Sequence, residues 1–160
     1  MKKRLGLIIA IVIVVLIVSL LIWRLWPQTA LSLIDAKENA VMTGFSADVN
    51  STVNGLVTYR IEGQVADDVL EILEASGYRP DFRNLLPWGT DGVSSDRNHD
   101  GRTVRVFLGY EGDYADFLFL SSSQVVVTTA EKPGCRIYHP TNRETMDKLI
   151  TYLQTYGTPQ

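Results

Sequence analysis

The sequence predicts an α+β protein: a single amino-terminal transmembrane helix followed by a small domain in which an antiparallel meander is packed by two amphipathic helices. Three observations predict it. Leu5 to Trp23 is almost unbroken Leu, Ile and Val behind Lys2, Lys3 and Arg4. Four strand-like runs follow one another between residues 103 and 139 with short turns between them. Two stretches, 64–76 and 142–156, repeat apolar residues at helical spacing.

The first segment reads as an uncleaved signal anchor over residues 5–26. A helix from Leu5 to Trp23 is about 28 Å long, close to the roughly 30 Å hydrocarbon core of a bilayer. The run ends in Trp23-Arg24-Leu25-Trp26-Pro27, without the small-residue pattern of a cleavage site. Lys2, Lys3 and Arg4 form a basic tip over residues 1–4 and outnumber Arg24, which predicts a cytoplasmic amino terminus. The bilayer is then the partner of Leu5 to Trp23, residues 27–40 are a stalk, and 41–160 form an extracytoplasmic domain of a cell envelope. A protein partner in or at the membrane is also expected.

Of fifteen Lys and Arg, four lie at or before Arg24, so eleven face eighteen Asp and Glu in the remainder. That acidic balance excludes a nucleic-acid binder, whose phosphates demand a basic face. Cys135 is the only cysteine. The domain must be held by packing, and an exported domain with no disulfide framework points to a bacterial envelope.

The stalk, over 28–40, fits a short helix or a strand and merges into the domain. Residues 41–53 alternate loosely, and Asn54-Gly55 predicts a tight turn into a second strand over 56–61. Val65, Val69, Leu70, Ile72 and Leu73 predict a helix from Gln64 to Ser76, with Asp67 and Asp68 in its first turns and Gly77 and Pro80 as the stop. Residues 81–102 have no period and are rich in Gly, Asn, Asp and Ser. A connection of this length is a natural place for a binding site, with Trp88 as a candidate partner contact. The meander follows as 103–110, 114–121, 124–129 and 135–139. The last helix, 142–156, opens on a capping box, Thr141-x-x-Glu144, and presents Met146, Leu149, Ile150 and Leu153 on one stripe.

The most specific motif for chemistry is Asp96-Arg97-Asn98-His99-Asp100-Gly101, which places oxygen donors at positions one, three and five of a calcium loop and glycine at six. Asp96, Asn98 and Asp100 are therefore candidate calcium ligands, although position twelve is Phe107, where a carboxylate is expected. No other cofactor is expected. Cys135 and His139 fail as a nucleophile and base, because four residues of strand separate them by about 13 Å. With no other catalytic signature, the expectation is a non-enzymatic binding or accessory domain, with a calcium-binding surface module as the alternative.

Lys3-Arg4-Leu5-Gly6, ahead of the apolar run, resembles the processing site of type IV pilin-like proteins, in which cleavage follows a glycine. The resemblance implies a pilin-like subunit processed after Gly6. Those proteins carry a glutamate at the fifth position after the cut, where this chain has Ile11.

Overall fold

The computed structural model describes residues 2–34, 42–51, 55–85, 101–110, 113–130 and 134–160. The chain begins with helix α1 (Lys2–Arg24) and a short α2 (Ala30–Ile34). A hairpin of β1 (Met42–Ser51) and β2 (Gly55–Arg60) leads to α3 (Gln64–Glu74). Strand β3 (Tyr78–Pro80) then runs into a 3-10 turn, Phe82–Leu85. The meander consists of β4 (Thr103–Tyr110), β5 (Asp113–Ser121), β6 (Gln124–Thr129) and β7 (Arg136–Pro140). Helix α4 (Thr145–Tyr156) and the two-residue β8 (Thr158–Pro159) close the chain.

All eight strands join one antiparallel sheet in the order β3-β7-β6-β5-β4-β1-β2-β8. The period of two along each strand sorts the side chains. Ala47 and Val49, Val104, Val106 and Leu108, Ala115, Phe117 and Phe119, and Val125 and Val127 are buried. They meet Val69 and Leu73 of α3 and Met146, Leu149 and Leu153 of α4 in one apolar cluster. The opposite face carries Arg105, whose guanidinium clamps the Asp116 carboxylate at 2.6–3.0 Å across the strand pair, and Asp48, which accepts from the Thr58 hydroxyl at 2.8 Å.

The α+β sheet-and-helix part of the expected fold is observed, and its membrane part is corrected. Among the described residues no helix is long and apolar enough to cross a membrane. Helix α1 does form, over Lys2–Arg24, with its apolar side chains from Ile8 to Trp23 exposed. The single-pass transmembrane anchor, the cytoplasmic amino terminus and the cell-membrane location with an extracytoplasmic domain are overturned with it.

Two local expectations also change. The segment expected as a stalk belongs in part to the core, because Ala30, Leu33 and Ile34 of α2 are buried and Gln28 exchanges backbone hydrogen bonds with Tyr78 at 2.8 and 2.9 Å. The expected capping box does not form. The Thr141 hydroxyl accepts instead from the Gly77 backbone at 2.9 Å, and Asn142 Oδ1 takes the Glu144 N–H at 3.0 Å, so α4 begins at Thr145. A contact 64 residues away in sequence has taken the hydroxyl that local pattern assigned to the helix end.

Candidate binding site

The edge of the sheet at β3 and β7 is built from short-range chemistry. Pro80 ends β3, and Asp81 then opens the 3-10 turn by accepting the Arg83 N–H at 2.8 Å, the same service an N-cap gives a helix. The Arg83 guanidinium closes back on the same carboxylate, Nε to Oδ1 at 2.9 Å and Nη2 to Oδ2 at 2.8 Å. From β7, His139 Nε2 lies 2.9 Å from Asp81 Oδ2, and its Nδ1 lies 2.8 Å from the Ser123 carbonyl in the β5–β6 turn. The Arg83 guanidinium, assisted by His139, holds the Asp81 carboxyl well below the usual carboxylate range.

Asn84 fastens the turn to the sheet. Its Nδ2 donates to the Ile137 carbonyl at 2.7 Å and its Oδ1 accepts the Ile137 N–H at 2.9 Å, so a side-chain amide continues the pairing along β7 beyond the end of β3. This lets Ile137 sit fully buried with both backbone groups satisfied.

Where α1 meets this edge there is a crevice of about 880 Å³. Val18, Leu21, Ile22, Leu25, Trp26 and Pro27 form one wall, and Arg79, Pro80, Asp81, Phe82 and His139 form the other. The lining is mostly apolar, with Arg79 and the Asp81–His139 pair as its charged and polar members. Trp26 and Phe82 stand at its rim, each 65 % exposed. The crevice is shaped to take an apolar group from another molecule, with aromatic rings available as anchors.

His139 is a positioning group in this arrangement, since both ring nitrogens are engaged within the chain. Cys135 is exposed and pairs weakly with the Thr128 hydroxyl at 3.8 Å, so neither residue is presented to the other. The candidate calcium ligands Asp96, Asn98 and Asp100, and the candidate contact Trp88, lie outside the described residues. Gly101, at position six of that loop, has φ +64°, the left-handed conformation that a sharp turn into β4 requires. Among the described residues no cluster of His, Cys, Asp and Glu is arranged to hold a metal.

Sequence reasoning missed Asp81, Arg83 and Asn84, which it placed at the start of an irregular connection. The available signal was Pro80-Asp81 ahead of a short polar turn, the pattern of a capped first turn. His139 as their partner had no local signal, being 58 residues away. No protein family, curated protein sequence or solved structure matches the chain.

Proposed function

We propose that the protein is a non-catalytic binding module that docks a protein partner on α1 and the crevice at its base. The observation that carries this reading is the state of α1. Its side chains from Ile8 to Ile22 are exposed on every face, as are Trp23 and Trp26. Contiguous apolar surface of this extent is unfavourable in water by about 25 cal/mol per Å² and marks a surface that another molecule covers. Because the apolar residues encircle the helix, a cover must surround it. A set of partner helices does this, with Trp26 and Phe82 as the anchors that fix register where the helix enters the domain. The absence of a catalytic role in this reading is supported by the engagement of His139 and Cys135 with groups inside the chain.

A photo-crosslinking side chain placed at Leu21, and separately at Trp26, tests the reading in intact cells. The same protein adduct from both positions, lost on Phe82→Ala and absent from a probe at Glu71 on α3, is the expected result. Adducts to lipid alone, with the purified chain floating on phosphatidylcholine vesicles, would overturn a protein partner and assign the cover of α1 to lipid.

A further inference from the structure

On the other side of Pro80 from the crevice lies a second, smaller cleft of about 240 Å³ whose walls are polar. Arg24 reaches it from the end of α1, Gln28 and Ser32 from the connection and α2, Asn84 from the 3-10 turn, and Arg136 and Tyr138 from β7. Every one of these polar side chains can donate a hydrogen bond, and among the described residues no carboxylate lines the cleft.

The arginines of the described residues fall into two groups, and Arg24 and Arg136 share the second with Arg79 and Arg143, which lie outside the cleft. Arg60, Arg83, Arg102 and Arg105 are each in an ion pair, with Glu62, Asp81, Asp147 and Asp116. Arg24 and Arg136 have no carboxylate partner among the described residues, although Arg136 is half-buried. Tyr138 is 5 % exposed and lines the cleft, and its hydroxyl makes no hydrogen bond within the described residues. Two guanidinium forks and a tyrosine side chain thus line one cleft in which no acidic side chain of the described residues pairs with them. Guanidinium forks match the oxygens of a phosphoryl group bidentately, and charge-assisted bonds of this kind are the strong ones.

From this convergence we propose that the cleft binds a phosphoryl group, either as a free phosphomonoester or as the headgroup of a phospholipid. The volume suits one phosphoryl group with a small ester substituent and is below that of a drug-sized pocket. The apolar crevice begins across Pro80, so a ligand with both a phosphate and an acyl chain has a place for each end.

The test uses the full chain in a non-ionic detergent, titrated calorimetrically with inorganic phosphate and with glycerol phosphate. Vesicle flotation then compares neutral phosphatidylcholine with the same lipid containing phosphatidic acid. Saturable binding is expected, weakened about tenfold by Arg136→Gln or Arg24→Gln, partly retained in Arg136→Lys, and unchanged by Arg143→Gln, which lies outside the cleft. Tyr138→Phe should weaken it a few-fold. Binding of both soluble phosphates identifies a free phosphate ester as sufficient. Arginine-dependent flotation restricted to phosphatidic acid vesicles, without soluble binding, assigns the site to a lipid headgroup. No saturation by about 10 mM phosphate together with equal flotation on both vesicles overturns the proposal. So does an Arg143→Gln effect as large as that of Arg136→Gln. Unchanged melting temperatures in the arginine variants keep these losses separate from unfolding.

Discussion

Asp81, at 7 % exposure, accepts three hydrogen bonds from Arg83, and His139 Nε2 lies 2.9 Å from its Oδ2. Removing its charge leaves a guanidinium and an imidazole aimed at an amide that cannot satisfy both. Because Arg83 and His139 are 34 % and 46 % exposed, water recovers part of the loss, and Asp81→Asn should cost about 2 kcal/mol. That corresponds to a fall in Tm of about 5–10 °C at pH 6. The sign with pH follows from the direction of the shift. The folded-state pKa is depressed, so the contribution is complete above the unfolded aspartate value of about 3.9 and is lost as pH falls through the folded one. Melting curves taken downward from pH 5 should therefore converge for wild type and Asp81→Asn. A constant gap down to pH 2 would show that the carboxylate contributes by packing instead of charge.

At the scale of elements, α3 and α4 are joined by the Tyr152 hydroxyl donating to Asp68, with Tyr152 also packed on Tyr156 at 4.9 Å between ring centroids. Burial, then the Asp68 carboxylate, pushes the Tyr152 hydroxyl up to about 12. A raised pKa means that stability is complete below the unfolded tyrosine value of about 10 and is lost as pH rises toward 12. Tyr152→Phe should flatten that part of the alkaline limb in urea melts, and a wild-type slope retained in the variant would sink the assignment. Both helices were legible from their apolar stripes, as were all four strands of the meander, because each signal is local and repeats within the element. Strand β3, strand β8 and the Asn84 edge were not legible. Their partners, His139 for Arg79, Tyr59 for Pro159 and Ile137 for Asn84, lie 60, 100 and 53 positions away, beyond any local period. The same distance explains Thr141, whose hydroxyl a local rule assigned to α4 and whose observed partner is Gly77. At the site, the loop motif of Asp96, Asn98 and Asp100 drew attention because it is contiguous, whereas the Asp81–His139 pair and the two-arginine cleft are assembled from separate elements.

For the molecule as a whole, the boundary between arm and domain decides what can be removed. The expected boundary near residue 41 leaves 27–40 as a stalk, whereas the sheet edge and the core both reach back to Gln28. A chain beginning at residue 28 keeps the Gln28–Tyr78 pairing, the buried Ala30, Leu33 and Ile34, and the Leu31 N–H bonded to Glu74. A chain beginning at residue 35 loses all of them. Deleting buried Leu or Ile side chains costs about 2–5 kcal/mol each, and a domain of this size has about 5–15 kcal/mol in hand. The first truncation should therefore melt cooperatively at a temperature close to that of the full chain. The second should show an early, broad transition with dye-accessible apolar surface, because the buried cluster that Ala30, Leu33 and Ile34 share with Leu73 and Tyr78 loses three members. Equal melting of the two truncations would refute the placement of α2 in the core. The same geometry bears on function. Gln28 holds the base of α1 by two backbone hydrogen bonds to β3. A partner that covers α1 therefore meets Trp26, Phe82 and the two-arginine cleft at a fixed edge of the sheet. Replacing Gln28 with proline, which removes one of those bonds, should reduce the Trp26 crosslink more than the Leu21 crosslink if register at the base is what the pairing supplies.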